Sequence, residues 1–430
     1  MKRALILSLN FPPSSIASVH RARHMAKYLP DFGWDTRVLA VDETFHKEPP
    51  DPALATLVPH HVTVERIRAL PYALTCPLGV GDLALRAMPF LPGALRKSIR
   101  EFAPEVIFMT GWPFYQMLLT GSIQARWNIP VILDFQDPWV SNEGALRQPW
   151  SKGGLAHRLA VALEPKAVRQ AAWITSVSER QNDDMAERYP FIDRDRMTAL
   201  PIGGDPEDFI ALRDEGRDAE QSSRFIFRYV GTALPRSAKL FSCLFRALAV
   251  CRSRNPGLQD RLRFELVGTS NQAKDETGYQ VAHLAAEAGV SDLVVEKPAR
   301  VPYLDALRLL ATADATFMIG SDEPHYTASK IYPCLMAARP FLSIFHRESS
   351  AHSILRKAGG GIALAFGDER DLDLLVPSAA QAIETIASGS AGIGKIDPAS
   401  YTDFTARAIA GRYAHIFEKV TAGPTSGSAR

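Results

Sequence analysis

The chain has 430 residues, a formal net charge of +2 and 46% hydrophobic residues. That is length for two or three domains with their own cores, without the global basic field that would draw nucleic acid. Its four cysteines, Cys76, Cys243, Cys251 and Cys334, lack CxxC spacing, which argues against a zinc site or a disulfide framework and fits a reducing compartment. No apolar run approaches the ~20 residues of a membrane span. Met1-Lys2-Arg3 followed by Ala4 to Leu9 reads as a first buried strand rather than a signal peptide, because Asn10-Phe11-Pro12-Pro13 interrupts it at once. The class expected is a soluble cytoplasmic α/β protein.

The first strand is expected over 3–9, followed by a loop from Asn10 to Ser18 and a helix from Val19 to Leu29 with Arg21 and Arg23 near its start. Trp34 to Val41 is the next strand. Residues 43–100 are punctuated by proline and carry short helices at Leu83–Met88 and Leu95–Phe102. The second has Arg96, Lys97 and Arg100, so this excursion either covers the N-terminal sheet or touches an anionic membrane surface. A strand at Pro104–Met109 precedes a helix opened by Thr110-Gly111-Trp112-Pro113-Phe114. Ile129-Pro130-Val131-Ile132-Leu133-Asp134-Phe135-Gln136-Asp137-Pro138-Trp139 follows. A carboxylate just past a buried strand sits where α/β ligand sites form, although Asp137 before Pro138 equally suits a turn or a helix cap.

Ala171 to Glu179 reads as a strand entering a capped helix, and Arg213 to Ser223 as an exposed linker. Asp193-Arg194-Asp195 has DxD spacing but does not end a buried strand, so an exposed turn is expected there rather than a metal site. Phe225 to Thr232 opens a second α/β region. Gly231 ends its first strand, and Arg236 and Lys239 follow. Arg263 to Gly268 is a further strand. Ala315 to Ile319 is a strand buried on both faces, Ser321 to Tyr326 a polar loop, and Thr327 or Ser329 the cap of a helix carrying Ile331, Leu335 and Met336. Pro340 ends that helix before a strand at Phe341–Phe345. Strand, loop, helix N-terminus and strand in that order build a ligand crevice favouring an anion.

Several segments carry a family resemblance. Ser329-Lys330-Ile331-Tyr332 and the following Ala337-Ala338-Arg339-Pro340 resemble SKLYEYLAAGRPIL of family 4 glycosyltransferases (retaining, GT-B), with Pro333 at the usual Glu and Ala338 at the usual Gly. Ile129 to Trp139 resembles IPLVVDFRDPW, with Gln136 for Arg. Ala171 to Glu179 resembles AVTTVSE, and Leu200 to Phe209 resembles VIPNGFDPEDF, the usual hinge. The first loop resembles FPP-x-x-G-x-G-x-x-R with Ser14 to Ser18 in place of the glycines and Arg21 retained. Val301-Pro302 with Leu304 to Leu310, and Gly359 to Leu364, match later family segments. The resemblance covers nearly the whole chain except about 43–100.

It implies an α/β GT-B fold, two Rossmann-like doubly wound domains facing each other across a cleft. The N-terminal, acceptor-binding domain would span 1–203 with a crossing C-terminal helix at 402–420. The nucleotide-sugar donor domain would span 204–401, with a frayed tail at 421–430. Arg236, Lys330 and Asp137 are the implied catalytic groups. Gly231, Thr232, Lys239, Arg300, Val301, Glu323, Tyr326, Thr327 and Ser329 would hold the donor, Glu323 standing in for the ribose-gripping Glu that Pro333 replaces. Ser15, Ser18, Arg21 and Trp112 would face the acceptor. No metal or cofactor is implied, because cations and helix dipoles stabilise the departing diphosphate. His20, His24, His325, His346 and His352 are each plausible ligands and each more often surface residues. The implied partners are a nucleotide diphosphate sugar and a saccharide or lipid-linked acceptor, with peripheral contact at the inner face of the cell membrane and no nucleic acid. Two other readings stay open: a weakened GT-B protein that binds a nucleotide or a partner transferase, and a nucleotide-sugar 2-epimerase.

Overall fold

A computed structural model describes residues 1–212, 224–270, 272, 275–323, 329–389 and 393–422. The chain divides into two compact units, Met1–Ile202 with Ala406–Arg430, and Gly203–Thr405.

The N-terminal unit is built on seven parallel strands: β1 (Lys2–Leu7), β2 (Trp34–Val41), β3 (Thr63–Ile67), β4 (Val106–Gly111), β5 (Val131–Phe135), β6 (Trp173–Ser176) and β7 (Met197–Ala199). Their order is β3-β2-β1-β4-β5-β6-β7. The central strands are mostly apolar because helices cover both faces, the arrangement that an all-parallel sheet demands. Leu5, Leu7, Ile107, Met109, Val131 and Leu133 face one layer, and Ala4, Ile6, Val106, Phe108 and Ile132 the other. The helix Ala406–Thr421 completes the second layer, with Tyr413 and Phe417 edge-on to Phe108 and Trp34 at 5.0 and 5.2 Å. Each large apolar side chain so buried contributes roughly 1.5–3 kcal/mol.

Leu83, Ala84, Ala87, Leu91, Leu95, Ile99 and Phe102 all enter the first layer. The apolar faces of the helices expected over 83–102 are therefore core that covers the sheet, and they are withdrawn from any membrane contact.

The second unit has six parallel strands: β8 (Phe225–Val230), β9 (Leu262–Val267), β10 (Val294–Lys297), β11 (Ala315–Ile319), β12 (Phe341–His346) and β13 (Gly361–Phe366). Their order is β10-β9-β8-β11-β12-β13. In each sheet the winding direction reverses at one place, between β1 and β4 and between β8 and β11. Loops leaving the C-terminal ends of two such strands diverge and leave a crevice. These two switch points are where the site residues gather.

Candidate active site

In the second unit, β8 runs straight into Gly231, whose φ of 132° lies in a region that L side chains rarely adopt. Space gives a second reason for glycine: a Cβ built there would meet Cε of Lys330 at 2.8 Å and Nζ at 3.0 Å. Lys330 crosses from the loop after β11, and its Nζ donates to the Tyr229 hydroxyl (3.0 Å) and the Thr232 carbonyl (2.5 Å). The Tyr229 hydroxyl donates to the same carbonyl at 2.7 Å, and the ammonium lies 5.1 Å from the Tyr229 ring centroid. Burial raises the Tyr229 phenol pKa, so it acts here as a neutral hydroxyl. The result is a half-buried cation pinned across the β8/β11 switch point. Nothing in the sequence singled out Tyr229; its place two residues before a strand-ending glycine was the available signal.

Arg236 lies on the turn Pro235–Ser237, joined to the β11 loop by the Asp322 amide donating to its carbonyl (3.3 Å) and by Ser237 Oγ donating to Gly320 O (2.6 Å). Its guanidinium pairs with Glu323. Glu323, expected as a ribose ligand, is thus engaged by the expected diphosphate ligand. Lys239 is drawn to Glu369 on the helix Glu369–Ala387, in an exposed ion pair. Arg300 and Val301 are half-buried on the loop after β10; Arg300 N donates to Gln272 O at 3.0 Å, and the Arg300 Cα lies 3.8 Å from a Cβ built on Gly268.

The helix after β11 is shorter than its pattern suggested, Ile331–Met336, with Lys330 at the N-cap and no side-chain cap bond. Ser329 is exposed and is not the cap. Tyr326, Thr327 and His325 lie outside the described residues. Pro333 is the third residue of this helix, where its missing N–H is one that no intrahelical carbonyl would accept. The substitution removes a side-chain acceptor without breaking the helix. Ala338, at the family's glycine, has a φ of 54°. The left-handed conformation persists there without the residue that best tolerates it.

In the N-terminal unit, the retained Arg21 proves to be a core strut. It is fully buried, with Nε on Asp134 Oδ2 (3.3 Å), Nη1 on Pro201 O (2.9 Å) and Nη2 on Leu200 O. The second Asp134 oxygen accepts from Thr175 Oγ1 (2.8 Å) and the Tyr413 hydroxyl (2.7 Å). Every guanidinium nitrogen is used within the unit, which removes Arg21 from the acceptor set. Ser15 Oγ donates to Pro49 O at 3.1 Å, tying the first loop to the proline-rich excursion. Trp112 is half exposed at the end of β4, its carbonyl accepting from Asn10 Nδ2 (3.1 Å), so the loops after β1 and β4 are joined.

Beside them, Gln136 Nε2 donates to Ser18 O at 3.3 Å, while Gln136 Oε1 and Ser18 Oγ are buried without a partner among the described residues. Two orphaned polar atoms flanking one contact mark a place built for a further hydroxyl or water. Gln136 was visible in the sequence only as a departure from the family motif. Asp137 is solvent-exposed and makes no hydrogen bond among the described residues, and partial desolvation raises the pKa of its carboxyl.

Burial and the nearby Arg23 lower the His20 pKa to about 3, and burial with Arg23 also holds His24 well below the ordinary range. Both imidazoles are neutral at physiological pH. His346 is buried with Nε2 at 2.9 Å from Gly367 O, and half-buried His352 lies on the helix Ser350–Ala358. Asp193 caps the turn Arg194–Arg196 by accepting from Asp195 N, and Arg194 pairs with Glu179 and Asp183. The DxD spacing is therefore spent on an exposed turn.

Residues 18–203 match the family model described as a glycosyl transferase 4-like domain. No curated protein sequence matches the chain. Among solved structures, Anabaena HepE in complex with UDP and glucose superposes with a TM-score of 0.60 at 16% identity, covering 97% of this chain and 100% of that one. The trehalose-6-phosphate synthase OtsA gives 0.62 at 11% identity, covering 99% and 100%. WaaG, a glycosyltransferase involved in lipopolysaccharide biosynthesis, gives 0.53 at 13% identity with the same coverage. At such identities the likeness speaks for the fold. The chain thus shares its fold with these GT-B structures over nearly its whole length, and its first half matches a glycosyl transferase 4-like domain.

Proposed function

We propose that this protein is a glycosyltransferase that moves a sugar from a nucleotide diphosphate donor to a saccharide or lipid-linked acceptor, with retention of anomeric configuration and without a metal. Its place would be surface polysaccharide or glycoconjugate assembly, at the inner face of the cell membrane. The observation that carries this reading is Lys330, held across the β8/β11 switch point by Tyr229 Oη and Thr232 O against a glycine that leaves it room. A point charge at that position stabilises a departing diphosphate. Arg236 lies on the adjoining loop and supplies a planar fork once Glu323 exchanges it for phosphate oxygens. In a same-face retaining transfer the leaving phosphate takes the acceptor proton, so no histidine base is needed, in keeping with His20 and His24 being held neutral by burial. Ser18, Gln136 and Asp137 are the groups we assign to acceptor hydroxyls.

The test is a thermal-shift series with UDP, GDP, ADP and TDP and their sugars, UDP-glucose first because HepE binds it. A ligand bound to the folded state raises the melting temperature. One nucleotide should stabilise the protein, Lys330→Ala and Arg236→Ala should abolish the shift, and turnover should give retained product and survive EDTA. Absence of any shift in folded protein sinks the proposal. Pro333 favours one competing reading, nucleotide binding without transfer; a shift without turnover on any sugar would select it.

A further inference from the structure

The helix Lys152–Val168 has an unusual surface. Ala160, Glu164 and Ala167 face the core, and Glu164 is consumed there by Arg188 (2.8 Å), the Tyr189 hydroxyl (2.7 Å) and the Val140 amide (3.3 Å). The opposite side carries Leu155 and Leu159, one helical turn apart and 48% and 43% exposed, with exposed Ala162 continuing the row. Just before the helix, Leu146 and Trp150 are 87% and 79% exposed. Single exposed leucines need no explanation, but a contiguous group on one element does.

Within Leu146–Lys166 the exposed charges are one-signed. Arg147, Lys152, Arg158 and Lys166 are all exposed, while the only acid in the helix is the buried Glu164. Arg158 lies over the Trp150 ring at 4.9 Å from its centroid. Among the described residues, Arg147, Lys152 and Lys166 have no carboxylate partner. Leucines and a tryptophan bordered by cations with long aliphatic stems suit the boundary between lipid headgroups and acyl chains: apolar groups enter, and the cations reach back to phosphates. A neutral apolar partner would leave these cations desolvated and uncompensated.

We propose that the segment Leu146–Lys166 docks on an anionic phospholipid surface. The helix would lie in the plane of the bilayer, with Leu155, Leu159 and Trp150 inserted and Arg147, Lys152, Arg158 and Lys166 at the phosphates. This deepens the reading of a lipid-linked acceptor without depending on it, since vesicle binding is read with neither donor nor acceptor present.

The full chain is sedimented with phosphatidylcholine vesicles and with phosphatidylcholine–phosphatidylglycerol vesicles. Binding is expected to the mixed vesicles only, weakening with salt. Both Leu155→Ser/Leu159→Ser and Lys152→Glu/Arg158→Glu should reduce it by about tenfold or more. Leu374→Ser, a similarly exposed leucine in the second unit (76%), should not. Tryptophan emission should shift to the blue on binding, and Trp150→Phe should remove most of that shift. Unchanged melting temperatures and nucleotide shifts establish that the variants fold. Equal binding to neutral vesicles, or retained binding in the leucine variant, overturns the proposal. So does a concentration-dependent dimer that the leucine variant abolishes, which would make a second copy the occupant.

Discussion

Each unit places a basic residue near its switch point, and the two have opposite fates. Arg21 is fully buried, neutralised by Asp134 and two backbone carbonyls, with its charge spent on holding β5, β6 and the helix Ala406–Thr421 together. Lys330 stays half-buried on a phenol and a carbonyl, beside a glycine that leaves its ammonium room. Depth decides the role. A buried charge must be compensated by the protein itself, whereas a half-buried one at a crevice keeps a field that a ligand can use.

Asp134→Ala strips the buried guanidinium of its counter-charge and should lower the stability of the N-terminal unit by about 3–5 kcal/mol, read from its urea transition. A cost below ~1 kcal/mol would break the contrast, because Arg21 would then not be a strut. Lys330→Ala should invert the pattern: little change in unfolding, but loss of a charge-assisted contact to diphosphate of about 1.5–3 kcal/mol, measured as roughly a ten- to hundredfold weaker nucleotide Kd. Pro333→Glu sharpens the same side. Restoring the acceptor that the helix geometry already admits should tighten nucleotide binding by about tenfold or more, measured by titration calorimetry.

The next effect depends on pH. A carboxyl whose folded pKa exceeds its unfolded value stabilises the folded state below the unfolded pKa, and that contribution is lost as pH rises through the folded one. Asp137 is raised by desolvation. Asp137→Asn should therefore increase the melting temperature at pH 7 and leave it unchanged near pH 3, where both forms are neutral. Equal effects at both pH values would mean that the carboxyl is not desolvated. The smallest change is Ala338→Gly. Relief of the left-handed strain at φ 54°, partly offset by the greater freedom of glycine in the unfolded chain, should stabilise by no more than ~1 kcal/mol in thermal unfolding.

Much of the fold was legible because parallel sheets write themselves into sequence as short apolar runs. Ala315–Ile319 and Trp34–Val41 have the bounds expected of them. The excursion over 83–102 was ambiguous for the same reason: apolar positions at helical spacing look alike whether they face a core or a bilayer, and only packing on β2 and its neighbours assigns them. Arg21 was read from a motif as a ligand group, since a motif states identity and spacing but not depth. Glu323 and Lys239 were read as donor ligands, while their ion pairs with Arg236 and Glu369 depend on loops and helices far apart in the chain.

By itself the sequence determined the α/β class, several of the strands along the chain, the glycosyltransferase likeness and the departures from it, among them Gln136, Pro333 and Ala338. These are properties of local propensity and of residue identity. Only the tertiary structure decided which cation is spent in a core and which lies half-buried at a crevice, that Tyr229 seats Lys330, that Gln136 and Ser18 leave polar atoms unsatisfied, and that an outward row of leucines is bordered by cations. Each of these depends on burial and on contacts between residues distant in sequence, and neither is encoded in any short stretch of the chain.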